Sequence, residues 1–372
     1  MRGGFFLKKN ILVGQSGGPT AVINASLYGI IKEAAAHSEQ IGSVYGMING
    51  IEGFLSGHIM DLSKELSDED LELLRLTPAA YLGSCRYKLP ENLDASVYTL
   101  LFEKFEQLNI GAVFYIGGND SMDTADKLSR WAAHNNKEIS FIGVPKTIDN
   151  DIYGTDMTFG FYSAVNIASD AIDCIHTTAS SHQRVFIVEV MGHKVGWLTL
   201  YAGIASGADV ILIPEIPYDI EKVCEAINRR KERGSGFTIL AVAEGAIAKE
   251  DAALPKKELK KRQEEIAKKY PSVSYKIAEE IEAKTGMEIR VTVPGHMQRG
   301  GSPCPYDRVL STRLGSEAAQ LILDKQYGYM VGMVNGKVKK IPLGECAGKL
   351  KTVDPNAQEV LQAKRMGISF GD

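Results

Sequence analysis

The chain lacks an excess of charge of either sign, a long apolar run and any set of cysteines at metal-ligand spacing. Its 372 residues carry 42 Lys and Arg against 46 Asp and Glu, a net charge of −4. This balance excludes proteins built to coat nucleic acid or an anionic membrane. Because the cysteines are scattered and odd in number, we expect reduced thiols. They are Cys85, Cys174, Cys224, Cys304 and Cys346.

The longest stretch without a charged residue, residues 10–31, is interrupted by polar residues and glycines between Gln15 and Thr20. Such a stretch cannot span a bilayer. The apolar segment within residues 1–7 is too short for a secretory signal. We therefore expect no membrane or nucleic-acid partner and a cytoplasmic location.

The composition favours a large α/β fold. With 44% hydrophobic residues, the chain has enough apolar material for more than one core. Short runs rich in β-branched residues recur between helix-length segments, a pattern typical of buried parallel strands joined by helices. We therefore predict doubly wound, mostly parallel sheets. The runs are residues 11–13, 112–116, 140–144, 185–190, 210–213, 238–243 and 289–293.

Two glycine-containing loops follow predicted strands. The first includes Gly17 and Gly18, and the second includes Gly118, Asn119 and Asp120. Glycines let backbone amides approach a phosphate, and a carboxylate beside them suits Mg²⁺. Taken alone, the first loop is a weak signal, because glycines at such a turn often serve only tight packing. The second loop taken alone is better explained by helix capping. Neither has the Walker or the dinucleotide-binding spacing, which removes support for those two classes.

A third loop, after residues 140–144, contains Lys146, Thr147, Asp149 and Asp151. Turn chemistry accounts for the acidic residues but not for the lysine. One carboxylate can accept a hydroxyl proton while the other holds a metal ion, and the lysine can neutralise a transferred phosphoryl group. Three such loops favour phosphoryl transfer.

These loops and further segments in the same order resemble the phosphofructokinase family along nearly the whole chain. The most specific match is residues 145–151. The other matching segments are residues 82–86, 181–184, 189–192, 243–245 and 294–303. The resemblance implies transfer of a phosphoryl group to the 1-hydroxyl of fructose 6-phosphate, with Mg²⁺ as cofactor.

The resemblance also assigns roles to residues of this chain. The catalytic residues are Asp149, as the base that receives the hydroxyl proton, with Lys146 and Thr147. The donor-binding residues are Gly17, Gly18, Arg86, Gly118, Asp120 and Lys146. The metal ligands are Asn119, Asp120 and Asp151. The residues expected to contact the sugar phosphate are Thr147, Asp149, Asp151, Arg184, Met191, Gly192, Glu244, Arg290, His296 and Arg299.

Assembly and domain organisation follow from the same resemblance. Arg184 and Arg290 match arginines that reach the sugar phosphate of an adjacent subunit, which implies a homo-oligomer, dimer or tetramer, with shared active sites. Two similar domains are expected, with the active site in the cleft between them. We predict a donor-binding domain over residues 1–160, a sugar-phosphate domain over 161–325 with a solvated helical insertion at 246–286, and a C-terminal segment over 326–372.

Two positions bear on the phosphoryl donor. Asp120 and Lys146 stand where ATP-using members of the family have glycine, so both side chains are expected to shrink and re-charge the donor pocket. Pyrophosphate-dependent members resemble this sequence at both places. We therefore predict a pyrophosphate-dependent 6-phosphofructokinase that works reversibly in glycolysis.

Two alternatives stay open. If Lys146 and Asp120 pair with each other away from the nucleotide, the donor is ATP. Asn119 and His193 depart from residues common in the family, which leaves a weakly active regulatory subunit that binds a sugar phosphate. The presence of Asp149 argues against that second alternative, because a non-catalytic subunit does not need the base.

Overall fold

The computed structural model describes residues 8–372. The prediction that the chain has no secretory signal falls on residues 1–7, outside the described residues. The described chain divides into two compact units. Unit 1 comprises the residues up to Ser163 together with Arg299–Lys351, and unit 2 comprises Ala164–Gln298 and Thr352–Asp372.

Unit 1 is built on a seven-stranded mixed sheet within the described residues. The strand order is β11-β10-β5-β4-β1-β2-β3, in which the edge strands β3 and β11 are antiparallel to their neighbours and the others are parallel. The strands are β1 (Lys9–Gln15), β2 (Ile41–Met47), β3 (Ile59–Asp61), β4 (Ile110–Gly117), β5 (Ser140–Pro145), β10 (Tyr329–Val334) and β11 (Lys337–Pro342). The helices are α1 (Ile23–Ala36), α2 (Gly50–Leu55), α3 (Leu62–Glu65), α4 (Asp68–Leu76), α5 (Ser96–Gln107), α6 (Asn119–His134), α13 (Pro305–Leu323) and α14 (Leu343–Cys346).

Helices cover both faces of this sheet. Ile11 and Val13 of β1 belong to a core cluster that contains residues of α1 and α13. Leu12, which lies between them, belongs to a separate cluster with residues of α5 and α6. Because successive strand residues point to opposite faces, the two clusters confirm the doubly wound α/β prediction.

Unit 2 has a four-stranded parallel sheet of order β7-β8-β6-β9. Its strands are β6 (Val185–Val190), β7 (Val210–Leu212), β8 (Thr238–Ala243) and β9 (Ile289–Thr292). Its helices are α8 (Trp197–Ala205), α9 (Ile220–Glu232), α10 (Lys249–Ala252), α11 (Lys256–Lys269), α12 (Val273–Thr285) and α15 (Gln358–Arg365). The boundaries between the units fall within α7 (Phe161–His182), within a 3₁₀ helix (Gly295–Arg299) and after Lys351.

The units are not the continuous stretches predicted from sequence. The chain returns to unit 1 after Gln298 because α13 packs along α1. It returns to unit 2 at its end, where Ser369 pairs with Val210 of β7. The donor and sugar roles of the two domains stay predictions.

The insertion predicted at residues 246–286 contains two kinds of helix. α11 buries none of its residues, as expected for a solvated helix. α12 buries Ile277 and Ile281 in the core cluster of unit 2, so this half of the insertion is part of the core.

The structure also bears on the predicted strands and cysteines. Each of the seven apolar runs forms a strand, and the five cysteines are free thiols. Within residues 8–372, no helix is long and apolar enough to cross a membrane.

Candidate active site

The glycine loops lie where the strand order reverses in the sheet of unit 1. β1 and β4 are parallel neighbours, and the helices that follow them, α1 and α6, contribute to core clusters on opposite faces. In open α/β sheets, ligands bind in the crevice beyond the carboxyl ends of strands at such a point. The structure therefore brings the first two predicted loops to one crevice.

The Gly17–Gly18 loop is fixed by backbone hydrogen bonds. Gly17 has φ +77, a left-handed conformation that favours glycine. Its N–H donates to Cys85 O at 3.0 Å, and its own carbonyl accepts from Ser84 Oγ at 2.6 Å. The segment ending at Arg86 is thus tied directly to the first glycine loop.

The side chain of Lys146 is hydrogen-bonded to this loop. It is 2% exposed, and Nζ donates to Gly18 O at 2.5 Å. The pKa of Lys146 is lowered to about 8, mainly by burial and next by the Arg299 guanidinium, whereas the Asp149 carboxylate opposes this shift. Lys146 therefore bonds to Gly18 and not to Asp120, the partner considered in the sequence analysis.

A second cation lies over the same glycine. A Cβ atom placed on Gly18 would be 3.1 Å from Arg299 Cζ. Arg299 was predicted among the sugar ligands, yet in the structure it belongs to unit 1 and contacts the donor loop. Together, Lys146, Arg86 and Arg299 give this part of unit 1 the positive potential that a phosphate needs, since both arginines act on the pKa of Lys146.

The second loop provides an amide oxygen next to the partly buried carboxylate of Asp151 in the third loop. Gly118 precedes α6 without a side-chain cap. Asn119 Nδ2 donates to Asp151 O at 3.4 Å, while Asn119 Oδ1 is buried and has no hydrogen-bond partner within the described residues. The pKa of Asp151 is raised by burial, and hydrogen bonds from its own backbone and from Asn119 oppose part of that rise.

Asp120 pairs with a residue outside this group. Its carboxylate lies 3.1 Å from Lys88 Nζ, and both side chains are 73% exposed. The structure therefore separates Asp120 from Asn119 and Asp151, the other two predicted metal ligands. The carboxylate does not fill the crevice as the donor argument assumed, because it has an exposed lysine as its partner.

The loop with the predicted base is held by internal hydrogen bonds. Asp149 N donates to Thr147 Oγ1 at 3.1 Å, and Thr147 O accepts from Thr158 Oγ1 at 2.9 Å. Between the two acidic residues, Asn150 has φ +52 and is 3% exposed. The half-buried Asp149 is thus presented by a rigid turn.

In unit 2, the two predicted phosphate arginines meet at one carboxylate. Arg184 Nε lies 2.6 Å from Glu288 Oε2, and Arg290 also pairs with Glu288. The pairing follows from the sheet, because Val185 of β6 is in register with Ile289 of β9. Both arginines are partly exposed, so their guanidinium groups remain accessible to an anion.

The other predicted sugar ligands follow β6 and β8. Glu244 Oε1 accepts from His193 N at 2.8 Å, so the turn after Met191 and Gly192 is fixed to the end of β8. Glu244 and His193 also line a cavity of about 450 Å³ whose opposite wall is α11. His296 is exposed on the 3₁₀ helix.

The structure adds residues that sequence reasoning missed. Gln298 Oε1 accepts from Met191 N at 3.2 Å, and Lys88 pairs with Asp120. Lys351 donates to the loop of the predicted base at Asn150. Gln298 and Lys88 lie in or next to matched segments, which is a usable signal; Lys351 has no sequence signal.

Comparisons with known proteins find relatives along most of the chain. The phosphofructokinase family model matches residues 10–322. An ATP-dependent 6-phosphofructokinase of Spirochaeta thermophila is 42% identical, with 96% of each chain covered. ATP-dependent 6-phosphofructokinase 3 of Bacteroides thetaiotaomicron is 41% identical, with 96% of this chain and 98% of that one covered. The structure of a pyrophosphate-dependent phosphofructokinase from Marinobacter aquaeolei is 30% identical, covers 97% of this chain and 92% of its own, and has a TM-score of 0.81.

These names overturn the donor prediction. Pyrophosphate as donor is wrong, because the curated relatives that match this chain at about 40% identity are named ATP-dependent. The inference failed because it assumed that Asp120 fills the donor crevice, whereas its carboxylate faces Lys88. The family model covers residues 10–322, and the sequence and structure matches cover 96% and 97% of this chain. The chain therefore belongs to the phosphofructokinase family.

Proposed function

We propose that this protein transfers the γ-phosphoryl group of ATP to the 1-hydroxyl of fructose 6-phosphate, a step of glycolysis. The choice of ATP as the donor rests on relatives that are named ATP-dependent and align with 96% of this chain. The observation that supports the chemistry is the meeting of three strand-end loops, with Lys146 and the Arg299 guanidinium at Gly18.

The donor phosphates are proposed to bind at the crevice of unit 1. Gly18 and Gly118 offer backbone N–H groups without side chains in the way, and Gly17 is proposed to shape the turn that presents them. Arg86 and Arg299 add positive charge near Lys146. Since Lys88 neutralises Asp120 at 3.1 Å, the acidic side chain does not repel the nucleotide as strongly as an unpaired carboxylate would.

Mg²⁺ fits this crevice. The orphaned oxygen of Asn119 and the partly buried carboxylate of Asp151 are hard oxygen donors, the type that Mg²⁺ prefers. Residues 8–372 contain no cluster of three or more His, Cys, Asp or Glu placed to hold a metal ion. That is typical of Mg²⁺ held by one carboxylate and substrate phosphates. When bound, Mg²⁺ neutralises charge on the phosphates of the donor.

Asp149 is proposed as the base. Its carboxylate accepts the proton of the 1-hydroxyl as that oxygen bonds to the γ-phosphorus and the bond to the bridging oxygen of ADP breaks. Lys146 and Arg299 stabilise the negative charge on the phosphoryl oxygens during transfer. Thr147 orients Asp149 through the hydrogen bond to its N–H.

The acceptor is proposed to bind residues of unit 2. Arg184 and Arg290, both held by Glu288, suit the 6-phosphate because a guanidinium forms paired hydrogen bonds with phosphate oxygens. Met191, Gly192, Glu244 and His296 are proposed to contact the sugar. The proposal includes a homo-oligomer in which the two arginines serve an adjacent subunit.

A donor assay tests this function. Purified protein is mixed with Mg²⁺, fructose 6-phosphate and either ATP or pyrophosphate, and fructose 1,6-bisphosphate is measured. Turnover with ATP that exceeds turnover with pyrophosphate is expected. Turnover with pyrophosphate alone, or binding of fructose 6-phosphate without turnover, would contradict the proposal.

A further inference from the structure

We infer that Lys351 is a positioning residue for Asp149, the proposed base. The inference rests on the proposed function and deepens it. Lys351 is the last residue of unit 1 and lies outside every matched segment of the sequence. Its ammonium group nevertheless reaches the loop that carries both acidic residues of the candidate site.

The side chain of Lys351 joins three acceptors around this loop. Nζ lies 2.9 Å from Asn150 Oδ1, 2.9 Å from Thr155 O and 2.8 Å from Asp156 O. An ammonium group has three N–H donors, so these acceptors match its capacity. Two of them are backbone carbonyls, which indicates that Lys351 holds the course of the chain.

The backbone of Leu350 and Lys351 is also bound to this loop and to the residue after it. Lys351 N donates to Asp151 O at 2.9 Å, and Leu350 pairs with Ile152 in an isolated antiparallel bridge. Lys351 is therefore bound to Asn150 and to the residues that follow it. A change at its ammonium group acts on a segment already bound to the loop.

Asn150 is the part of the loop that needs support. Its φ of +52 is a left-handed conformation, which non-glycine residues adopt at some cost in free energy. Its side chain offsets that cost, because Oδ1 accepts from Thr158 N at 3.0 Å as well as from Lys351. Since Asn150 lies between Asp149 and Asp151, its backbone conformation sets the direction of both.

Hydrogen bonds complete the path from Lys351 to Asp149. Thr158 Oγ1 donates to Thr147 O at 2.9 Å, and Thr147 Oγ1 accepts from Asp149 N at 3.1 Å. A base must lie within hydrogen-bond reach of the hydroxyl. A displacement of about 1 Å costs about 100-fold in rate, so loss of the ammonium group should reduce turnover without removing a substrate contact.

The simpler explanation is that Lys351 only stabilises the fold. That role would lower the melting temperature and the fraction of folded protein but would leave kcat per folded molecule unchanged. A positioning role lowers kcat per folded molecule and changes KM for fructose 6-phosphate little, because the proposed ligands of the 6-phosphate, Arg184 and Arg290, lie in unit 2. The division of the effect between kcat and KM therefore distinguishes the two roles.

The test compares Lys351→Met with Lys337→Met, which removes an exposed lysine from β11 of the same unit. With saturating Mg²⁺ and ATP, well below the melting temperature, kcat of Lys351→Met should fall about 100-fold. KM for fructose 6-phosphate should stay within about threefold of wild type, a change of less than 1 kcal/mol. Lys337→Met should match wild type. An unchanged kcat in folded Lys351→Met overturns the inference.

A second variant tests the bond from its other end. Asn150→Gly removes Oδ1 and keeps the left-handed conformation accessible. It should lower kcat, and the double variant should be little slower than the slower single one, because both changes break one network. Independent, multiplicative effects overturn the inference. If Lys351→Met does not fold, an unchanged kcat in Asn150→Gly does so instead.

Hydrogen exchange separates this inference from the proposed function. In Lys351→Met, amide protons of residues 147–158 should exchange faster than in wild type, with other peptides of unit 1 unchanged. A wild-type protein without turnover would refute the proposed function, whereas this exchange pattern would still support the loop contact. Active wild type with unchanged exchange in the variant overturns the inference alone.

Discussion

The base-bearing loop of unit 1 and the arginine edge of unit 2 are organised in opposite ways. In the loop, Lys146 and Asn150 are 2% and 3% exposed. Lys146 Nζ donates to Gly18 O, and Asn150 Oδ1 accepts from Lys351 Nζ. At the edge, the side chains of Arg184 and Arg290 are 34% and 54% exposed. Both share the single carboxylate of Glu288.

Under the proposed function, the difference separates the groups proposed to act during the reaction from the groups proposed to bind substrate. A residue that stabilises developing charge works best when its position is fixed before the substrate arrives. A residue that captures an anion must be accessible, and here each arginine has to exchange a carboxylate for a phosphate. We therefore expect changes in the loop to lower kcat and changes at the edge to alter KM.

The largest effect is expected for Asp149→Asn. This change keeps the size of the side chain and removes the proton acceptor, so kcat should fall about 10²- to 10⁴-fold, the range of general base catalysis. KM for fructose 6-phosphate should change little. Steady-state kinetics with ATP provide the measurement, and Asp94→Asn on an exposed loop is the matched control. A kcat close to that of wild type would remove Asp149 as the base.

A smaller, pH-dependent effect is expected for Lys146. Because burial lowers its pKa to about 8, the ammonium group loses its proton as the pH rises through about 8, and kcat should fall with it. Lys351 also has a pKa that burial lowers to about 8, so the assignment requires a variant. Lys146→Met should be slower at pH 7 and should lose most of this decline.

The same lowered pKa predicts the effect of Lys146 on stability. Between pH 8 and the unfolded-state pKa of about 10.5, the unfolded chain binds more protons at this position than the folded chain. The contribution of Lys146 to the free energy of unfolding therefore rises with pH across that window. Chemical denaturation of wild type and Lys146→Met should show it, with Lys339→Met on β11 as the exposed control. A constant difference across the window would contradict the lowered pKa.

The fold could be predicted from sequence where strands are continuously apolar. β4 and β8 are buried on both faces and read as uninterrupted apolar runs. β2 contains glycine and serine, and β11 carries several lysines on an exposed edge, so neither has that pattern. The division into units could not be predicted, because it depends on α13 packing against the distant α1.

The candidate site could be predicted where a residue lies in a loop after a strand, as Lys146 and Asp149 do. The sequence did not show where their side chains point. Asp120 turns to Lys88 instead of entering the crevice, and this orientation undermined the prediction of the donor. Lys351 could not be found because its partners are mainly backbone carbonyls far away in sequence.

The smallest effect is expected for Glu288→Gln, and it tests the comparison most directly. If Glu288 competes with the substrate phosphate for Arg184 and Arg290, removing its charge should lower KM for fructose 6-phosphate. Because exposed ion pairs are worth at most about 1 kcal/mol, the decrease should be no more than about fivefold, with kcat unchanged. Glu279→Gln, which breaks an exposed pair with Lys269 in the same unit, should change neither constant. An increase in KM would instead mean that Glu288 orients the arginines for binding, and the edge of unit 2 would then be as preorganised as the loop of unit 1.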